Sequence, residues 1–341
     1  MKNILIVVMA MFFLASCSDE TKFKTVVNED GSFEKTITLT SSDSILKHEE
    51  YVGVSEALNW QYKKIKEELK LDSGSQEKNY QYQHHFTKAF KDVAQYNDEQ
   101  QQLDKPHLPI SVTFNKRFRW FYTYFDYTET FGPINFLSTP IEDFINTQDF
   151  DFIAKLPAEG KPLSKADSVF LENLNVKISD QYGSFAYFNQ ISDMVLQNLK
   201  NEEARLIWKK NEKQVFKKLT DKESTNDSDV LPILDSLNIR KFLDEANFDK
   251  ANKAFEEKLS YLMWASDSHY TIEIEMPGYI VKQNADSLYN NTAIWKPSSL
   301  KFLLKPYTFE VSSRKANGWA WIVSAIGILL VIGISIKRYQ K

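Results

Sequence analysis

The sequence predicts an α+β protein: an antiparallel β-sheet domain with a large helical insertion, followed by one C-terminal transmembrane helix. Three observations predict it. Aromatic residues make up 14% of the chain, and most fall in segments that alternate polar and apolar, the period of a strand. Residues 133–265 change to the helical period. Residues 318–336, GWAWIVSAIGILLVIGISI, run for nineteen positions without a charge.

The last run organises the rest. At about 1.5 Å of rise per residue it covers about 28 Å, close to the thickness of a hydrocarbon core. Its polar side chains are Ser324 and Ser335, whose hydroxyls can bond back to their own helix. Trp319 and Trp321 stand at one end, where indoles favour the water–lipid boundary. Residues 337–341, with Lys337, Arg338 and Lys341, form the expected cytoplasmic tail. A buried soluble helix is the competing reading, although a helix this long then usually keeps a polar face.

At the other end, a lysine precedes a twelve-residue apolar run at 4–15, right for a signal-peptide core and short for a span. Leu14-Ala15-Ser16-Cys17 follows and resembles the lipobox of bacterial lipoproteins. The resemblance implies that residues 1–16 are removed and that Cys17, the chain's single cysteine, carries diacylglyceryl and palmitoyl groups. With one cysteine there is no intramolecular disulfide. A lipid at Cys17 and a span at 318–336 together predict a domain in the periplasm at the inner membrane, with both ends of the domain pinned to one bilayer. Ser18-Asp19-Glu20 resembles the acidic export signal of surface lipoproteins in Bacteroidota, which keeps an outer-membrane lipoprotein as the alternative. Bridging two membranes is not expected, because the linkers are short and a domain of this size has a radius of gyration of about 19 Å.

Between the anchors, residues 17–132 are expected to be β-rich. Residues 23–40 read as a hairpin turning at Asp30-Gly31, with Phe33, Lys35, Ile37 and Leu39 on one face. Residues 55–69 read as a helix, from the stripe Leu58, Tyr62, Ile65 and Leu69 with Gly74 as a stop. Residues 80–87 alternate again. Residues 110–130 form the most aromatic stretch, expected to turn near Asn115-Lys116 and then to present Phe118, Trp120, Tyr122 and Tyr124 on one face of a strand covered on both sides. Helices are expected at 164–173, 185–200, 202–219 and 235–264, with a polar loop at 221–229. Residues 266–317 return to strands and complete the sheet, with a turn at Pro277-Gly278.

A lipidated cysteine, an early Asp-Gly hairpin, a late Pro-Gly turn ahead of the Trp295 strand and a final span together resemble the LppM-type lipoproteins. That resemblance covers only the ends of the chain, and the block 133–265 departs from its pattern. It implies a membrane-tethered β-rich domain that binds a lipid or glycolipid, and it brings no catalytic residues.

The chemistry-bearing motifs are missing. The five histidines include no HExxH, and His84 and His85 are neighbours on a strand, so they face opposite sides and do not share a metal. GxSxG, Walker A and dinucleotide glycine patterns are absent. No cofactor, metal site or catalytic residue is assigned. A net charge of −4 with interspersed signs gives no basic patch and no sign of nucleic acid binding. The candidate ligand or partner surface is Arg117, Arg119, Trp120, Tyr122 and Tyr124, a stacking platform with arginines for an anionic group; core packing with edge-paired arginines is its rival. Three functions compete: a non-catalytic module binding a lipid, glycan or envelope protein, a tethered hydrolase using carboxylates, and an accessory subunit of an inner-membrane complex, for which Ala320 and Ser324 offer a small-residue helix face.

Overall fold

The computed structural model describes residues 20–46, 48–68, 80–220 and 230–339. The signal segment, Cys17, the stop at Gly74 and the loop 221–229 lie outside the described residues.

Eleven strands are described: β1 (Glu20–Val27), β2 (Phe33–Ser41), β3 (Gln61–Glu68), β4 (Tyr80–Phe90), β5 (Ile110–Phe118), β6 (Tyr122–Phe131), β7 (His269–Glu275), β8 (Tyr279–Gln283), β9 (Ser287–Tyr289), β10 (Thr292–Trp295) and β11 (Tyr307–Ala316). They form two sheets rather than the one expected. The larger has the order β3-β4-β2-β1-β7-β10-β9, the smaller β5-β6-β11-β8. All pairings are antiparallel except β1 with β7. That parallel pair joins the first described strand to the strand just after the helical block, so the block is inserted between two neighbours in one sheet.

The sheets close on an aromatic core. Phe23 meets Phe131 at 5.3 Å, and Phe33 meets Tyr127 at 6.1 Å. All four are buried, and burial of rings this large dominates a core's stabilisation. The expected face of β2 holds: Phe33, Lys35, Ile37 and Leu39 point inward. At the turn before it, Gly31 has φ of 92° and a Cβ there would lie 2.7 Å from the Phe114 ring, so only glycine fits.

Three further expectations fail. Residues 55–68 are not a helix: a short 3-10 turn, Glu56–Leu58, leads into β3, and Leu69 lies outside the described residues. The Tyr62 and Ile65 stripe belongs to an edge strand, where Tyr62 packs on Phe86 at 5.1 Å and the lysines face water. Lysine on an exposed edge discourages pairing with another chain. The aromatic stretch turns at Trp120-Phe121, not at Asn115-Lys116, which lie inside β5. Arg119 and Tyr122 close that turn with paired backbone bonds of 2.8 and 3.0 Å. In β6, Phe125, Tyr127, Glu129 and Phe131 are buried while Tyr122 and Tyr124 are half-open, so the strand is central but covered on one face only.

The helices are α1 (Val93–Gln101), α2 (Thr147–Ala154), α3 (Lys165–Val176), α4 (Ser184–Asn198), α5 (Glu202–Lys210), α6 (Glu212–Thr220), α7 (Val230–Ser236), α8 (Glu245–Asp267), α9 (Leu300–Leu303) and α10 (Gly318–Tyr339). A π-helical turn, Lys177–Gly183, joins α3 to α4. From α4 to α8 the helices share a second core around Val195, Leu199, Trp208 and Leu234. Helix α1 guards the free edge of β5, where the Asn97 side chain exchanges two 2.9 Å bonds with the Val112 backbone as a neighbouring strand would.

Candidate functional site

Helix α10 is 22 residues long, carries no charge before Lys337, and is exposed along nearly its whole length. It is long and apolar enough to cross a membrane. Its first turns are fastened to the β5–β6 turn by Asn317. The Asn317 side chain donates to the carbonyls of Arg119 (2.7 Å) and Trp120 (3.2 Å) and accepts from the Thr123 hydroxyl (2.9 Å). Its backbone N–H donates to Phe121 O at 2.9 Å. Four bonds at one residue make a rigid joint between sheet and helix.

Aromatic side chains surround that joint. Phe118 stacks on Trp319 with centroids 6.2 Å apart, Trp120 meets Trp319 edge-on at 5.2 Å, and Phe121 meets Trp321 at 4.4 Å. The Trp120 indole N–H donates to Ser324 Oγ at 2.8 Å. Ser324 lies six residues into α10, so the hairpin reaches about 9 Å along the helix. Phe118, Trp120, Trp319 and Trp321 each keep about half of their surface exposed. Indole and phenyl rings half in water at the start of an apolar helix are suited to a bilayer interface. Ala320 is buried at this joint and Ser324 is bonded by Trp120, so the domain itself occupies the small-residue face of the helix.

The predicted surface residues therefore divide. Arg119 and Trp120 form the turn that grips α10. Arg117, Tyr122 and Tyr124 lie on the open face of the small sheet, where Arg117 pairs with Asp126 at 2.8 Å. Arg314 of β11 joins them, its guanidinium 4.6 Å from the Tyr122 ring centre. Sequence reasoning missed Arg314 and Tyr279 because only the strand pairing brings Arg314 beside Tyr124 and Tyr279 beside Arg314.

A second constellation is closed. Lys35 and Glu129 meet at 2.6 Å between the sheets, both fully buried. The Thr25 hydroxyl donates to Glu129 at 3.3 Å and the Tyr127 hydroxyl at 3.5 Å. Burial pushes the Lys35 ammonium pKa down, against the pull of Glu129. Burial raises the Tyr96 and Tyr127 hydroxyls well above the usual phenol range, with the Glu129 charge adding to it. Enclosed on all sides, the pair is placed to hold the sheets in register rather than to meet a substrate.

A small apolar cavity of about 70 Å³ lies against the π-helical turn, lined by Leu137, Ile178, Tyr182, Leu259, Leu262 and Leu303. Ligand pockets commonly enclose about 300 Å³ or more. An open hollow of about 380 Å³ between α4 and α5 holds Asp193, Glu202, Arg205 and Lys209, and there Glu202 pairs with Arg205 at 3.2 Å. Among the described residues, no three His, Cys, Asp or Glu side chains gather as metal ligands.

Fold and site together define an α+β domain with a C-terminal apolar helix of membrane-spanning length. No protein-family model matches the chain, and no curated protein does. Among solved structures, the folded domain of the Mycobacterium tuberculosis lipoprotein LppM aligns with 90% of this chain and 95% of its own, at 7% identity. The TM-score of 0.26 makes it a distant neighbour from which neither fold nor ligand is carried over.

Proposed function

We propose that this chain is a membrane-anchored, non-catalytic interaction module of the cell envelope, whose domain is held at a set angle to its anchor. The Asn317 joint carries the reading. A flexible linker would suffice for retention, whereas four hydrogen bonds and an aromatic collar fix orientation. The missing catalytic motifs favour binding over hydrolysis. Its partner is a lipid, a glycan or another envelope protein. Helix α10 spans the inner membrane with Lys337 and Arg338 in the cytoplasm, Cys17 is acylated, and the domain is periplasmic.

The strand directions constrain how both anchors reach one leaflet. β6 runs from Tyr122, beside the joint, to Phe131, where Phe23 of β1 packs. Glu20 is three residues further from the joint than Phe23. The two poles are thus about twelve residues, or about 40 Å, apart at about 3.3 Å per residue, while the three residues from Cys17 to Glu20 reach about 11 Å. A lipid on Cys17 in the leaflet that α10 enters requires a domain leaning on its side, not standing upright.

The test is extraction of the full chain from bacterial membranes. Retention in alkaline carbonate, and palmitate labelling that disappears in Cys17→Ser, are expected. Release of the unmodified chain by carbonate would overturn the membrane reading; unchanged labelling in Cys17→Ser would overturn lipidation at that residue.

A further inference from the structure

The open face of the small sheet carries a row that neither the core nor the joint accounts for. Arg117 stands opposite Tyr124, Tyr124 opposite Arg314, and Arg314 opposite Tyr279. Arginine and tyrosine therefore alternate across all four strands at one level. Arg117 lies 5.8 Å from the Tyr124 ring centre and Arg314 lies 4.6 Å from that of Tyr122. A guanidinium stacked on a ring keeps its in-plane N–H donors for an anion. Arg117 shares its charge with Asp126, but among the described residues no carboxylate pairs with Arg314. Tyr279 is 82% exposed. The other acid on the face, Glu310, stands 3.9 Å from Lys282.

The row's position suggests its occupant. Arg314 is four residues ahead of Gly318, about 13 Å of extended chain from the start of α10. Arg119, in the turn at the same end, adds positive charge. We propose that this row docks on the phosphate groups of anionic phospholipids in the leaflet that α10 enters. The arginines would take phosphate oxygens through paired N–H donors, and the tyrosines would lie at the interface. The proposal rests on α10 spanning a bilayer, and it names the face on which a leaning domain comes to rest.

The experiment is hydrogen exchange on the full chain in nanodiscs of phosphatidylcholine alone or with one-third phosphatidylglycerol. Exchange of the β8 backbone should slow by about fivefold with the anionic lipid, the scale of one surface cation's attraction. The slowing should vanish in R117Q/R314Q, while β3, at the far edge of the other sheet, stays indifferent to lipid. Equal β8 exchange in both discs, or full slowing in R117Q/R314Q, overturns the row's role. A carbonate wash of the same preparation separates the two readings. A chain that resists the wash yet shows lipid-blind β8 exchange sinks the row alone. A chain that washes off sinks the membrane reading and this proposal with it.

Discussion

Lys35 and Glu129 face each other at 2.6 Å from different sheets, 94 residues apart in sequence, with no exposed surface on either side chain. Breaking such a pair from one side leaves an uncompensated buried charge. Glu129→Gln is expected to destabilise the domain by about 3–5 kcal/mol, whereas Lys35→Met combined with Glu129→Leu should recover part of that loss, the remainder coming from the Thr25 and Tyr127 hydroxyls, which lose their acceptor. Urea unfolding of the full chain in detergent checks it. A double variant as unstable as Glu129→Gln would mean the pair contributes net stability beyond neutralising its own charges.

Acid should loosen the β3–β4 edge. His84 is buried with its Nδ1 2.8 Å from the Tyr62 hydroxyl, and His85 Nδ1 lies 2.9 Å from the Thr38 hydroxyl. Burial lowers both pKa values below the ordinary 6.5. The unfolded chain then binds more protons than the folded one as pH falls through 6.5 toward the folded values. Stability present above that pH is lost in this window. Thermal melts across the window should show the loss, and His84→Gln with His85→Gln should flatten it; an unchanged pH profile in that variant would refute the assignment.

Loss of the joint should free the hairpin without unfolding the sandwich. Asn317→Ala removes three side-chain bonds, each contributing about 0.5–1.5 kcal/mol. Faster exchange confined to Phe121, Thr123 and the start of α10 is expected. Exchange that rises equally in the helical block would place Asn317 in global stability instead.

Gly278→Ala tests the turn that leads into β8. Gly278 has φ of 79°, and a Cβ there would stand 2.4 Å from the Arg314 carbonyl oxygen. The left-handed backbone alone costs an L-residue about 1–2 kcal/mol. A lower melting temperature, with weaker protection of β8 and of Ser313, whose hydroxyl donates to Pro277 O at 2.7 Å, is the expected result.

Much of this was legible along the chain because it is local. The Asp30-Gly31 hairpin, the inward face of β2 and the helical period of the central block depend on neighbours within a few positions. The stripe at 55–69 misled because Leu58, Tyr62 and Ile65 satisfy a helical spacing, while the partner that made residues 61–68 a strand was β4. The aromatic run misled in the same way: alternation cannot locate a turn when polar and apolar residues share both sides of it, and Trp120-Phe121 bends where Asn317 can bind it.

By itself the sequence determined the charge-free length of residues 318–336 and the α+β pattern, since hydropathy and period are properties of consecutive residues. Only the tertiary structure decided that Lys35 would find Glu129, that Arg314 would fall between Tyr124 and Tyr279, and that Glu20 and Gly318 would lie at opposite poles. Those outcomes are set by which strands pair and in which direction, and pairing across a hundred residues is decided by the burial of the whole core.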